Sequence, residues 1–383
     1  MALGVAASIA MARLGGAEVK GTYSSVMAAA NLVFAVINLE LAAELLKRGR
    51  EDGTQNETHK WITKAWFAYG LAGVLACVLL WVLNLEFASF VAAASTLTTL
   101  STQAGVLLNG KRGPTWLAAQ AVVQQAATLL LVGVASTAVS LTNTLIVLIL
   151  CLSLISGFLV AVFWLRSSSR EPATVRLDLI GAVRRGSKWV LLRLSQMALM
   201  RLDIVVVYLV AGPAMAGVYS VGVSFATFIQ LIPSQLSLEV QFLGANRIAY
   251  SLERKALSTF IVGVVAALPF AILGSWLIDL MYGSGFAGAY GVLLCSIPGI
   301  IALPAYQTYC NSLRLTSNHR MATGTGLAGV LVMVVLLVPA LQIWGLPGAA
   351  IASSVGCVLS LGLMIVIYRA RRIKSGMGNR AGS

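Results

Sequence analysis

Long apolar stretches follow one another along almost the whole of the 383-residue chain. An α-helix needs about 20 apolar residues to cross a bilayer, and a window of that length predicts a series of full spans preceded by a shorter apolar segment at 1–13. The stretches do not alternate between apolar and polar residues, which disfavours the strands of a membrane barrel. The predicted full spans are 25–46, 61–83, 87–109, 115–138, 142–165, 188–211, 217–243, 256–281, 287–313, 321–341 and 347–369.

Segment 1–13 is interpreted as a shortened first span, because no basic stretch precedes it as in a signal peptide. Composition agrees with a membrane protein: 58% of the residues are hydrophobic, 10% are charged, and the mean hydropathy is +0.88. Soluble domains carry about 25% charged residues. The sequence therefore predicts an all-α polytopic membrane protein with about 12 transmembrane helices, six in each half.

The basic residues fix the predicted orientation. The chain has a net charge of +14, which by itself suggests nucleic acid. With a cytoplasmic N-terminus, however, 22 of the 27 Lys and Arg residues fall in the cytoplasmic loops and the C-terminal tail, and only Arg13 and Lys20 fall on the opposite side. This alternation follows the positive-inside rule. It predicts a multi-pass protein of the cytoplasmic membrane with both termini cytoplasmic, and no nucleic-acid partner.

No catalytic or cofactor motif stands out. The five cysteines lie in apolar spans without metal-ligand spacing, and no glycine-rich phosphate loop is present. We therefore predict no cofactor, no metal site and no enzymatic activity.

A short phrase recurs in the two halves. Residues 15–24, GGAEVKGTYS, and residues 211–220, AGPAMAGVYS, match at four positions that are always 196 residues apart: Gly16 and Gly212, Gly21 and Gly217, Tyr23 and Tyr219, Ser24 and Ser220. Since each half has six spans, the halves are predicted to be parallel repeats around a central cavity. The predicted organisation is a six-helix lobe at 1–165, a cytoplasmic linker at 166–187, and a second six-helix lobe at 188–383 with a basic cytoplasmic tail.

Polar side chains form a stripe in the span after each phrase. Their spacing of seven residues places each trio on one helix face, and the 196-residue offset relates the two trios. Lining of the central cavity and simple hydrogen bonding between helices are both compatible with such stripes. The predicted lining residues are Ser24, Asn31 and Asn38 in the first half and Ser220, Thr227 and Ser234 in the second.

Charged residues inside the spans need a partner or water, because each costs about 2.5–3.5 kcal/mol at mid-membrane. On the span that begins at 188, Gln196 and Asp203 share a face, Arg193 lies to one side and Arg201 points elsewhere. Arg193, Gln196 and Lys64 are predicted to contact substrate, although Lys64 also lies near enough to the helix end to snorkel. Charge pairing or ion coupling is predicted for Glu40, Glu44, Arg201 and Asp203.

Several phrases resemble bacterial polysaccharide flippases of the multidrug/oligosaccharidyl-lipid/polysaccharide exporter superfamily. RLDIVVVYLV (201–210) followed by GPAMAGVYSVGVSF (212–225) resembles the start of that family's second lobe. MYGSGFAGAYGVLLCSIPG (281–299) and LQIWGLPGAAIASSVG (341–356) resemble later parts of it, and ARLGGAEVKGTYS (12–24) is similar to the first lobe. The resemblance covers nearly the whole chain, but the first helix is shorter than in family members.

The resemblance implies a transporter that flips a polyprenyl-diphosphate-linked oligosaccharide from the inner to the outer leaflet by alternating access. Its partners would be this lipid-linked substrate, membrane lipids, and the glycan polymerase and glycosyltransferases of the same pathway. A proton- or sodium-coupled multidrug or cation antiporter of the same superfamily is the alternative. A membrane glycan ligase or polymerase is remote, because the predicted extracytoplasmic loops are short and nearly uncharged.

Overall fold

The computed structural model describes residues 2–38, 55–112, 114–138, 141–166, 179–240, 245–315 and 319–374. Within these ranges the regular structure is α-helical, apart from 3-10 structure at Ser284–Phe286 and at Val240. The helices are α1 (Ala2–Ile37), α2 (Gln55–Val82), α3 (Glu86–Arg112), α4 (Pro114–Ala138), α5 (Asn143–Arg166), α6 (Leu179–Ala211), α7 (Pro213–Glu239), α8 (Ala245–Tyr282), α9 (Ala289–Leu315) and α10 (His319–Lys374). The predicted all-α fold is confirmed.

Two of these helices contain a glycine that separates two helical segments. α1 breaks at Gly16, where φ is 75°, and α10 breaks at Gly345, where φ is 64°. The described ranges thus hold six helical segments up to Arg166 and six from Leu179 onwards. This agrees with the predicted six spans in each half, including a short first segment at 2–15.

The helices have the length and the apolar surface of membrane-spanning helices. Seven of them contain a segment long and apolar enough to cross a membrane, and the segment in α10, Arg320–Arg371, includes the break at Gly345 and so has room for two crossings. Large apolar side chains lie on the outside of the protein: Ile272 of α8 is 74% exposed and Phe163 of α5 is 69% exposed. Such exposure is unfavourable in water but costs nothing against lipid tails.

Some boundaries differ from the predicted ones. The second segment of α1 occupies 17–37, so it begins eight residues before the predicted span at 25–46. The reason is that the turn before it needs only Gly16, which adopts a positive φ without steric cost. α6 begins at Leu179, inside the predicted linker 166–187, of which residues 167–178 lie outside the described ranges.

The repeated phrase marks two equivalent turns. Gly16 has a φ of 75° and Gly212, 196 residues later, has a φ of 88°. Residues with a Cβ atom rarely adopt such angles. In both turns a helix resumes at the next residue, and in the second turn that residue is Pro213, whose fixed φ suits the first helical position. One part of the repeat therefore encodes a tight turn.

The chain separates into two compact units. The first comprises Met1–Leu194 together with Ala211–Gly217, and the second comprises Ser195–Val210 together with Val218–Ser383. The core of the first unit contains Ile146, Leu150 and Leu154 of α5, packed with residues of α1, α3 and α4. In the second unit, Tyr306 of α9 is fully buried and donates a hydrogen bond to the carbonyl of Ala322 at 2.8 Å.

The second matching glycine pair forms a reciprocal contact inside the first unit. A Cβ atom on Gly21 would lie 1.8 Å from the carbonyl oxygen of Pro213, and one on Gly217 would lie 1.9 Å from the carbonyl oxygen of Ala17. Ala17 and Pro213 are themselves 196 residues apart. The two repeats therefore use the same positions to bring their backbones together, which only glycine permits.

Candidate functional site

A small cavity with both polar and apolar lining lies inside the second unit, between side chains of α6, α7, α9 and α10. Its volume is about 40 Å³, and a water molecule needs about 10–15 Å³ on the same measure, so the cavity has room for two or three waters. The wall also contains apolar residues such as Leu199 and Leu303. The polar and charged residues that line it are Arg201, Asp203, Thr227, Gln230, Ser296, Ser353 and Ser354.

Asp203 is the carboxylate of this wall, and it is only 4% exposed. The hydroxyl of Tyr219 donates to Oδ2 of Asp203 at 2.7 Å, and the backbone N–H of Ile204 donates to Oδ1 at 2.8 Å. Ser353 lines the same wall of the cavity as this carboxylate. A buried carboxylate retains its charge only when such donors or a cation replace the lost water.

Arg201 supplies the positive charge of the cavity. It is half-buried and lines the same wall as Asp203, and opposite charges that share one small cavity attract each other. Charge pairing or ion coupling of Arg201 and Asp203, as expected from the sequence, stays a prediction. Residues two apart on a helix do leave it in different directions, but the arginine side chain is long and flexible enough to reach the same cavity.

Three hydroxyl groups of the wall use their protons on the backbone. Thr227 and Ser296 each donate to the carbonyl four residues earlier in their own helix, at 2.9 Å and 2.7 Å. Ser354 donates across to the carbonyl of Cys295 at 2.7 Å. A hydroxyl has one proton and two lone pairs. These three groups therefore contribute acceptor oxygens to the site.

A proline adds a further acceptor. Pro304 of α9 has no N–H, so the carbonyl of Ile300, four residues earlier, lacks its normal partner within the helix. The side chain of Gln230 reaches that carbonyl with Nε2 at 3.5 Å, the long limit of a hydrogen bond. Ile300 and Gln230 both line the cavity. Irregular backbone at membrane depth is typical of walls of internal cavities.

The structure places the two predicted polar stripes differently. In the first stripe, Ser24 is half-buried, Asn31 donates from Nδ2 to the carbonyl of Met27 at 2.8 Å, and Asn38 accepts a bond from Nε2 of Gln103 at 3.3 Å. Asn38 thus makes a hydrogen bond between helices α1 and α3. Its lining of a central cavity stays a prediction.

In the second stripe, Thr227 is the member that lines the described cavity. Ser220 is buried, and Ser234 is half-buried with its carbonyl accepting a bond from Ser237 at 2.8 Å. On α6, Arg193 is half-buried and interacts with neighbouring groups, while Gln196 is 7% exposed. Contact of these residues with substrate stays a prediction.

The side chains of three predicted residues are not among those that the structure describes. Glu40 and Glu44 lie outside the described residues, and Lys64 belongs to α2 without a described side chain. Lys20, expected in a loop opposite the cytoplasm, lies in the second segment of α1, is 3% exposed, and has its ammonium 5.7 Å from the centre of the Tyr23 ring. Among the residues whose burial is described, Lys20 and Asp203 are the charged residues in the buried class.

Sequence reasoning missed several residues of the site. Tyr219 belongs to the repeated phrase, yet its bond to Asp203 was not foreseen, and Gln230, Ser296 and Ser353 gave no periodic signal. In the part of the chain that the structure describes, no group of three or more His, Cys, Asp or Glu side chains is placed to hold a metal ion.

The fold has known relatives among solved structures. A multidrug resistance MATE family transporter of the MOP superfamily, in an inward-facing conformation, matches with a TM-score of 0.78 and 11% identity over 98% of this chain and 95% of that one. The lipid II flippase MurJ matches with a TM-score of 0.69 and 13% identity over 96% and 85%. The MATE multidrug transporter DinF-BH matches with a TM-score of 0.67 and 15% identity over 97% and 92%.

At the level of sequence, no protein-family model matches the chain. No curated protein matches it either. Identities of 11–15% to the solved structures bear on the fold and not on the substrate. The chain therefore has the helical fold of MATE transporters and of the lipid II flippase MurJ.

Proposed function

We propose that this protein is a membrane transporter that flips a polyprenyl-diphosphate-linked oligosaccharide from the inner to the outer leaflet by alternating access. Its fold is shared with MATE transporters and with a lipid II flippase. Its two halves repeat the same turn and the same glycine contact, as expected of repeats that move against one another in a transporter. The proposed location is the bacterial cytoplasmic membrane.

The observation that carries the proposal is the pair of arginines within the apolar part of α6. Arg193 and Arg201 both lie in the membrane-length segment Trp189–Ala211. At about 2.5–3.5 kcal/mol each, two such residues cost about 5–7 kcal/mol unless they have anionic partners or water. Arg201 lines the cavity that also contains Asp203, whereas Arg193 lies near the start of the segment, on the predicted cytoplasmic side where a diphosphate would enter. We therefore assign the diphosphate to Arg193. Coulomb attraction to a diphosphate is stronger in a shielded site than in water.

The remaining site assignments are part of this proposal. Ser, Thr, Asn and Gln side chains would bind the sugar hydroxyls, and the polyprenyl tail would stay in lipid. The proposed lining set is Ser24, Asn31, Asn38, Lys64, Arg193, Gln196, Ser220, Thr227 and Ser234. The partners proposed with it are the glycan polymerase and glycosyltransferases that act on the same lipid-linked substrate.

The test uses lipid extracts and surface glycan from a deletion strain. We expect the strain to accumulate lipid-linked sugar on the inner leaflet and to recover with the wild-type gene. Arg193→Ala removes the charged contact, worth about 1.5–3 kcal/mol, and is expected to lower glycan export about tenfold or more, while Arg193→Lys retains part of the activity.

A matched control is Arg369→Ala, because Arg369 forms an exposed ion pair with Glu253 at 3.4 Å and lies outside the proposed site. Such surface pairs contribute little, so this variant should export glycan like the wild type. Normal surface glycan in the deletion strain, or full rescue by Arg193→Ala, would contradict the proposed substrate.

Asp203 favours a second candidate, a proton- or sodium-coupled multidrug or cation antiporter. That function needs an embedded carboxylate that changes charge during the cycle, and Asp203 is buried inside a membrane-length helix. Dye efflux from cells decides the question. Extrusion that depends on a proton or sodium gradient and fails in Asp203→Asn or Glu40→Gln would place the antiporter first.

A further inference from the structure

Five groups in the wall of the cavity in the second unit offer acceptor oxygens, and Arg201, Gln230 and Ser353 of the same wall carry donors. Acceptor oxygens come from Asp203, from the hydroxyls of Thr227, Ser296 and Ser354, and from the carbonyl of Ile300. Such a collection of oxygens around a water-sized space attracts a cation. Arg201 is the cationic residue among those that line the cavity.

The repeat shows that the two charges occur together. At the 196-residue offset, Arg201 corresponds to Val5 and Asp203 corresponds to Ala7. The first half of the protein therefore lacks both charges at the equivalent positions, whereas Tyr219, which donates to Asp203, is retained as Tyr23. Both charges are present in one half and both are absent in the other, as expected if each charge is tolerated only with the other.

Electrostatics explains this pairing. A carboxylate in an apolar environment needs compensation for its lost hydration. Asp203 accepts two hydrogen bonds from neutral groups and lines the same small cavity as the positively charged Arg201. A guanidinium stays protonated under all physiological conditions. The charge of the cavity is therefore balanced by a covalently attached group, and an added sodium ion would meet a positive charge already in place.

We propose that Arg201 is a tethered cation that occupies the place of a free cation in this cavity, so that the wild-type cavity binds no sodium ion. Removal of the guanidinium turns the cavity into a monovalent cation site built from Asp203 and the surrounding oxygens. The consequence for transport rests on the function proposed above: sodium bound at this site does not drive that transport. The ion-binding test itself uses purified protein without any transport substrate.

The experiment measures sodium binding to the full chain in detergent. Thermal unfolding is recorded in sodium chloride and in choline chloride at equal concentration, and binding of radioactive sodium is counted directly. We expect no difference between the two salts for the wild type. Arg201→Gln is expected to bind one sodium ion per chain, and its unfolding midpoint should rise by about 3 °C when sodium exceeds its Kd a hundredfold.

Two further variants separate charge from packing. Arg201→Lys keeps the tethered charge and should behave like the wild type. Arg201→Gln combined with Asp203→Asn removes both charges, as in the first half of the chain, and should fold without a response to sodium. Arg201→Met is a second uncharged variant that preserves side-chain volume, and it should repeat the result of Arg201→Gln.

Several results would overturn the inference. Sodium binding by the wild type that is lost in Asp203→Asn would show that the cavity already takes a metal cation. Folded Arg201→Gln and Arg201→Met proteins without sodium binding would show that the oxygens do not form a site. Failure of both variants to fold in either salt would also contradict it, because sodium should replace the missing charge. None of these results depends on whether the substrate is a lipid-linked glycan.

Discussion

The reciprocal contact between Gly21 and Gly217 gives the sharpest prediction about stability. Alanine at position 21 adds a single methyl group, which would lie 1.8 Å from the carbonyl oxygen of Pro213 and 2.7 Å from the backbone nitrogen of Gly217. Both obstacles are backbone atoms, so no side-chain rotation relieves the overlap. The helices that meet here have to move apart.

The distances set the size of the effect. A carbon atom and a carbonyl oxygen make contact at about 3.3 Å, so the backbones must separate by about 1.5 Å locally. A gap of 0.5–1 Å already removes a quarter to a half of the dispersion energy between facing atoms. Overpacking of this kind typically costs 1–3 kcal/mol, and we expect Gly21→Ala to lie near the upper end, at about 2 kcal/mol or more.

Thermal unfolding of the purified protein measures this loss. At about 2.1 cal/mol/K per residue the entropy of unfolding of 383 residues is about 0.8 kcal/mol/K. A loss of 2 kcal/mol then lowers the midpoint by about 2.5 °C if the whole chain unfolds together. The shift is about twice as large if only the first unit unfolds.

The control is Gly133→Ala in α4, where an added Cβ meets nothing within 4 Å. In an open helical position this exchange should stabilise by about 0.4–1 kcal/mol, because alanine loses less conformational entropy on folding. Gly21→Ala and Gly133→Ala should therefore shift the midpoint in opposite directions. A Gly21→Ala protein as stable as the wild type, or more stable, refutes the contact.

The reciprocity itself can be tested with a double mutant. Gly217→Ala should cost about as much as Gly21→Ala, because its Cβ meets the carbonyl of Ala17 at 1.9 Å. Once the backbones have separated for one methyl group, the second needs little further movement. The double variant should therefore lose clearly less than the sum of the single losses, whereas strict additivity would mean that the two glycines act at separate places.

Two other predictions concern single hydrogen bonds. Tyr219→Phe removes the donor 2.7 Å from Oδ2 of Asp203 and should lower the free energy of unfolding by about 1.5–3 kcal/mol, the range for a bond to a charged group; Tyr23→Phe, its repeat equivalent, should cost less in the same thermal assay, and equal losses would contradict a special role of the carboxylate. Asn31→Ala removes only a bond to the carbonyl of Met27 in its own helix, so unfolding should change by about 0.6 kcal/mol or less, and a strong defect in glycan export at unchanged stability would then support its proposed place in the substrate cavity.

Much of the architecture follows from the sequence alone. Length and composition of the apolar stretches predict the helices, because a helix must satisfy its own backbone hydrogen bonds when no water is available. The 196-residue offset predicts equivalent turns, since a glycine with positive φ is hard to replace, and Gly16 and Gly212 confirm it. These features depend on local rules, namely hydropathy over one span and backbone angles at one residue.

Contacts across helices depend on tertiary structure. The sequence separates Asp203 from Tyr219 by 16 residues and from Ser353 by 150, and no periodicity relates these positions. Arg201 and Asp203 leave α6 in different directions and yet line one cavity, because a helical wheel gives the direction in which a side chain leaves the helix but not its reach. Asn38 has a bond to Gln103 that is equally invisible in sequence.

What the sequence by itself determined is therefore the lipid environment, the helices and the repeated turn. The first two follow from the free energy of placing one apolar stretch in lipid, and the turn follows from the backbone angle at one glycine. Only the tertiary structure decided which polar groups share the cavity of the second unit. A buried charge is stabilised by whichever donors and cations the packing brings within a few ångströms. Those distances depend on how four helices pack together, and the sequence of a single helix does not determine that packing.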